Sequence, residues 1–207
     1  MSQLFNLDSS LFKVLTRTVD LAILNFLFLL FCIPIITIGS SLTALYYVLG
    51  KMVRDEDKNI GKSFVLAFKK NFIQSTIVWF IMLAAGILVL VNFLLLGTLN
   101  GLLKIFFISL VIIFGFMYLS ILLFIFPYMA RYKDTIKNSL LNSLLIGLSN
   151  FPYLLLLLIL FLFPIIFVFS STVGFLSGLY FITFGGFSLL AFLYSYIFRK
   201  AFSKYEV

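Results

Sequence analysis

The chain has 207 residues and a formal net charge of +8, with 63% apolar, 19% aromatic and only 11% charged positions. A water-soluble domain carries charge at about a quarter of its positions. This composition therefore excludes a soluble enzyme or a nucleic-acid-binding domain and leaves the bilayer as solvent. Residues 140–198 contain no Asp, Glu, Lys or Arg, and no stretch is polar enough for a separate soluble unit, so residues 1–207 read as one all-α integral membrane domain.

At the N-terminus, the polar residues 6–10, with Asp8, are followed by no small-x-small cleavage site, and no leader removal is expected. Lys13 and Arg17 precede the first apolar run, residues 20–53. At 34 residues that run is too long for one upright helix, because about 20 residues cross a hydrocarbon core. Two crossings share it. The break is expected at Ile33-Pro34-Ile35-Ile36-Thr37-Ile38-Gly39-Ser40-Ser41, where proline disfavours helix and Ser40 or Ser41 can cap a new one. The second crossing, residues 41–53, spans only about 20 Å at 1.5 Å per residue. It is read as a span or, alternatively, as a re-entrant helix, giving six crossings or five. The single cysteine, Cys32, sits in the first run, so no disulfide framework exists and a small apolar role is expected.

The acidic triplet Asp55-Glu56-Asp57 reads as a solvated loop rather than a metal site, since there is no histidine and adjacent carboxylates diverge. Residues 60–72 follow, with Ile60, Phe64, Phe68 and Phe72 at i+4 and Lys62 and Lys69 on another face. That is the pattern of an amphipathic helix lying in the membrane surface. The remaining spans are residues 73–96, 102–129, 151–169 and 175–198. A second in-plane helix is expected from Ile136, Leu140, Leu144 and Leu148, with Asn138, Asn142 and Ser149 opposite. The two amphipathic stretches echo one another: Ile60-x-x-Ser63 matches Ile136-x-x-Ser139, and Asn71-Phe72 matches Asn150-Phe151. They suggest a weak parallel repeat over residues 41–97 and 115–170.

Fourteen of the fifteen basic residues fall in four clusters between or beside spans, leaving Lys104 outside them. The positive-inside rule places these clusters, and both termini, in the cytoplasm, with residues 97–104 and 170–174 facing outward. Trp79, Tyr118, Tyr128, Tyr153, Tyr180, Tyr194 and Tyr196 include several belt candidates near the interfaces. Gly174-x-x-x-Gly178 and Gly185-Gly186 favour close helix packing.

The break motif, continuing as Leu42-Thr43-Ala44-Leu45-Tyr46-Tyr47, resembles the YesL family, small bacterial membrane proteins described as a domain of unknown function. Asn25 fits the family's early asparagine, and the similarity extends through Lys62-Ser63-Phe64, Ala67-Phe68-Lys69-Lys70-Asn71-Phe72 and Trp79, returning at Phe126-Pro127-Tyr128, Lys137-Asn138-Ser139-Leu140 and Asn150-Phe151-Pro152. The resemblance implies a multi-pass plasma-membrane protein of a Gram-positive type bacterium, encoded near carbohydrate-uptake and carbohydrate-degrading systems. It implies no reaction.

The candidate site is the break and its surroundings: Asn25, Pro34, Thr37, Gly39, Ser41, Thr43 and Tyr46. Small and hydroxylated side chains there permit close backbone approach, so a packed hinge is the first reading and a polar solute pocket the second. Asn25 needs a partner within its span; Asp20, three residues after Arg17, is read as structural. No nucleophile with a histidine base, nucleotide cradle or paired acid is visible, so no enzyme, cofactor or metal is expected. Two functions remain: an accessory component working with a membrane or cytosolic protein such as a sugar-uptake system, or a carrier for a neutral solute such as a sugar.

Overall fold

The computed structural model describes residues 10–56 and 59–205. Asp8, Asp57 and Lys58 lie outside them. Among the described residues the chain is helical throughout and has no strand: α1 (Ser10–Cys32), α2 (Ile38–Val53), α3 (Ile60–Leu95), α4 (Gly101–Arg131), α5 (Ile136–Ser149), α6 (Phe151–Ser170), α7 (Thr172–Phe181) and α8 (Phe187–Phe202). Six stretches are long and apolar enough to cross a bilayer: α1, α2 with its preceding turn, α3, α4, α6 and α7 with α8. The protein is an all-α, polytopic membrane helix bundle.

The first break falls where proline requires it. Pro34 is extended, and a short turn at Ile35–Thr37 leads into α2. The Thr37 hydroxyl donates to the Phe31 carbonyl, an acceptor left by the end of α1, and lies 2.7 Å from the Pro34 carbonyl, which also accepts from the Thr37 amide. Ser40 and Ser41 do not cap α2, contrary to expectation, because the chain is helical from Ile38. The Ser41 hydroxyl instead donates back to the Thr37 carbonyl at 2.9 Å.

A second correction concerns residues 60–72. They form no separate in-plane helix but run without interruption into the following span, making α3 a single helix of 36 residues, about 54 Å long. Composition changes from basic to apolar along this stretch, yet nothing in it breaks a helix. Asn71 is accommodated by donating to the Ala67 carbonyl one turn back, at 3.0 Å. Asn59 starts α3 as an N-cap, its side chain accepting from the Lys62 amide at 3.1 Å. At the equivalent place in the second stretch the chain does break, at Asn150 between α5 and α6.

Helix α5 is a distinct element, but it lies antiparallel along α4 rather than apart from the bundle. Ser139, Ser143 and Gly147, spaced four apart, form its buried face together with Ile146, while Leu141, Leu145 and Leu148 are exposed. This is the face choice of a helix in lipid: small residues bring backbones together, and leucine loses nothing by facing acyl chains. The closest approach is at Gly147, where a Cβ would lie 2.3 Å from the Ser120 Oγ of α4.

The last span is also interrupted. Between α7 and α8 the backbone distorts at Ile182–Gly186, with Gly185 at φ 120°, a conformation that only glycine adopts without strain. Gly174 and Gly178 are buried against α6, a Cβ on either falling 2.4 Å from Phe167 or Val168. Their close-packing motif is therefore used inside the chain, closing the α6–α7 hairpin.

Packing is concentrated at one end. No residue from Leu83 to Leu119, and none from Ile159 to Val173, is buried. The α1–α2 hairpin stops beside the middle of α3, where Gly39 lies against Ser75 and Trp79. From there the α3–α4 hairpin continues alone for another sixteen residues of α3, about 24 Å. The base is an apolar core in three clusters, mostly aliphatic with interspersed aromatic rings, and Tyr46 of α2 packs against all three. Trp79, Tyr128 and Tyr194 face this base: Trp79 packs on Phe126, and the Tyr194 hydroxyl donates to the Leu160 carbonyl at 2.9 Å. Tyr180 and Tyr196 remain exposed.

Candidate functional site

The residues singled out from the sequence do not converge on one cavity. Thr43 and Gly39 lie in the α2–α3 contact: the Thr43 and Ser75 hydroxyls are 2.9 Å apart, Ser40 and Thr76 3.1 Å, and a Cβ on Gly39 would meet the Ser75 carbonyl oxygen at 2.4 Å. Each hydroxyl has a partner, so this face is a polar, close-packed seam of two helices. Thr37 and Pro34 form the turn beyond it, and Ser41 is buried and bonded to that turn.

Asn25 is elsewhere. It is buried in α1, donating to the carbonyls of Ile182 at 2.9 Å and Thr183 at 3.2 Å, and accepting from the Ser188 amide at 3.1 Å. It thus bonds backbone groups on both sides of the distortion at Gly185. The partner required for an intramembrane amide is a broken helix 157 residues away in sequence, which no local pattern shows. Asn92, by contrast, bonds only the Leu88 carbonyl of its own helix.

The cavities lie at the end of the base where α2, α4 and α8 all terminate. One of them, about 130 Å³, is lined by Tyr46, Tyr47, Arg54, Arg131, Ser195, Arg199 and Phe202, among others. Of the seven candidates only Tyr46 reaches it. The chain has just four arginines, and three of them line this cleft: Arg54 caps α2, Arg131 ends α4, and Arg199 is in the last turn of α8. Arg199 donates to the Val53 carbonyl at 2.9 Å, Arg54 pairs with Glu56 at 3.1 Å, and the Arg131 guanidinium lies 5.6 Å from the centre of the Phe202 ring. The fourth arginine, Arg17, pairs with Asp55, so two members of the acidic triplet hold ion pairs beside the cleft. Pro127, inside α4, also borders it. A second cleft of about 170 Å³ shares Tyr47, Ala130 and Arg131 and adds Lys51, Lys70 and Lys133.

Next to these clefts Asp134 organises the α4–α5 turn. Its carboxylate accepts from the Tyr128 hydroxyl and, at 3.3 Å, from the Asn142 amide, while its backbone carbonyl accepts from Gln74 of α3 at 2.6 Å. Neither this network nor the arginine cleft was among the residues selected from the sequence. A signal for the cleft was present: each of the three runs ending at the basic end is followed at once by an arginine, in Val53-Arg54, Ala130-Arg131 and Phe198-Arg199.

A family model described as a protein of unknown function, DUF624, matches residues 21–93, from within α1 to near the end of α3. No curated protein and no solved structure matches the chain.

Proposed function

We propose that this is a multi-pass protein of a bacterial plasma membrane, with its termini and basic end in the cytoplasm, that acts without catalysis as an accessory component. Its partner is a membrane or cytosolic protein, with a sugar-uptake system as the favoured class. The observation that carries the reading is where the polar groups go. Asn25, Thr37, Ser41 and Thr43, the side chains a carrier would turn toward a solute, bond backbone or other hydroxyls inside helix contacts. The recessed, charged surface lies instead at one end of the bundle, where a partner has access. The carbohydrate link rests on the resemblance of the break motif to the YesL family and on the setting of that family's genes.

A carrier for a neutral solute is the second reading, favoured by one feature: Asn25 joins the first hairpin to the broken last span, and breaks of this kind frame substrate sites in carriers. The two readings separate in a paired assay. Deleting the gene should lower uptake of at least one radiolabelled oligosaccharide, and the purified protein alone in liposomes should exchange none of the panel. Exchange by the protein alone would establish the carrier reading. Unchanged uptake across the panel would remove the carbohydrate link.

A further inference from the structure

The α6–α7 hairpin differs from the α3–α4 hairpin at its root. Helices α3 and α4 pass from the base to their tip without a break, and Pro127 of α4 lies where residues 123–129 are all buried. In the α6–α7 hairpin both helices lose backbone hydrogen bonds where they leave the base. Pro164 has no N–H to offer the Leu160 carbonyl one turn back, and the last span distorts from Ile182 to Gly186. Leu160 and Ile182 lie symmetrically about Ser171 at the turn, eleven residues before it and eleven after, so the two weak points share one level. Side chains from the base take over at both. The Tyr194 hydroxyl of α8 donates to the Leu160 carbonyl at 2.9 Å, and Asn25 of α1 bonds the backbone on both sides of Gly185.

Below the break α8 is fixed, with Phe187 stacked on Phe28 at 4.5 Å and Ser188 and Ala191 buried. Beyond it, no residue from Ile159 to Val173 is buried, and Gly174 and Gly178 are buried against Phe167 and Val168, within the hairpin itself. The hairpin is thus a closely packed unit joined to the base through two weakened helices. We propose that it is a hinged arm, rooted at Leu160–Pro164 and Ile182–Gly186, and that Tyr194 and Asn25 are the latches that hold it in its present arrangement. A second arrangement has a donor in reserve. The Ser188 hydroxyl, fully buried beside the Asn25 contact, has no hydrogen-bond partner, and it can bond a carbonyl of the preceding turn when the break shifts. This motion rests on neither functional reading.

The test measures spin-label distances in the full-length protein, in a Cys32→Ser background, between exposed positions on the arm and the base, Val173→Cys and Lys200→Cys. Leu66→Cys and Leu94→Cys, at a similar separation along unbroken α3, are the control pair. Loss of one net hydrogen bond changes a two-state ratio by about fivefold. Tyr194→Phe should raise the population of a second arm distance by that factor and leave the control pair unchanged. Adding Pro164→Ala, which restores a donor to the Leu160 carbonyl, should cancel the effect. Asn25→Ala should also raise the second population, and Pro164→Ala should not cancel that. Gly185→Ala introduces no clash, since the nearest atom to its Cβ is the Ala22 Cα at 3.8 Å, but it disfavours the φ of 120°. It should move the arm toward the separation of about 40 Å given by an unbroken helix of 1.5 Å rise. If Asn25→Ala fails to fold, Tyr194→Phe and Gly185→Ala decide alone. A single arm distance unchanged in those two variants, broadening shared by the α3 pair, or failure of Pro164→Ala to reverse Tyr194→Phe would overturn the proposal.

Discussion

At the scale of single residues, stability depends on a few sites of close approach. Lipid tails are as apolar as leucine, so helices in a bilayer gain little from burying apolar area and much from fitting closely. Gly39 is the clearest case: a side chain there would meet the backbone of α3, which cannot swing aside. Gly39→Leu should destabilise the protein by about 3 kcal/mol or more, read as a lower melting temperature and loss of a monodisperse peak in detergent. Unchanged melting would remove the seam from the account. At Gly147 the obstacle is the Ser120 hydroxyl, a group with no hydrogen-bond partner of its own. Gly147→Ala should therefore cost about 1–2 kcal/mol alone and almost nothing in a Ser120→Ala background, a coupling that a double-mutant cycle measures directly; additive effects would contradict the contact. Gly39 was legible in the sequence because it sits in a motif of small residues at a proline break. The Asn25 partner was not, because the groups it bonds are backbone, and backbone has no letter.

At the scale of elements, the spans were readable because long charge-free runs have one solution in a bilayer. Their boundaries agree closely: residues 102–129 expected against Gly101–Arg131, and 151–169 against Phe151–Ser170. What the runs could not convey is where a helix continues after its environment changes. A basic amphipathic segment and an apolar span differ in composition, and that difference suggested a corner at residue 72. Helix hydrogen bonding is indifferent to the change, and α3 passes straight through. Spin labels at Lys62→Cys and Ile87→Cys, in a Cys32→Ser background, should lie about 38 Å apart along a continuous helix of 1.5 Å rise. A right-angled corner near Phe72 would bring them to about 27 Å by the same rise. For α5 the periodicity was legible and the choice of face was not. Leucines mark the buried face of a helix in water, whereas here Ser139, Ser143 and Gly147 are buried beside Ile146 and Leu141, Leu145 and Leu148 face outward.

At the scale of the molecule, the bundle is asymmetric along its length. One end is an interlocked base with clefts and arginines; the other is two hairpins in which α3 has no buried residue beyond Met82 and α6 none beyond Leu158, while α7 buries Gly174 and Gly178. The sequence disclosed the clustering of basic residues but not their convergence, because Arg54, Arg131 and Arg199 meet only when α2, α4 and α8 end at one level. The proposed function requires this end to face the cytoplasm, where a cytosolic partner has access to it. The most direct test labels single cysteines, Lys133→Cys beside the clefts and Asn100→Cys at the α3–α4 tip, in a Cys32→Ser background with a membrane-impermeant thiol reagent. Intact cells should be labelled at Asn100→Cys, with Lys133→Cys reacting only after permeabilisation. Labelling of Lys133→Cys from outside, with Asn100→Cys protected, would place the arginine cleft on the wrong side of the membrane and contradict the account.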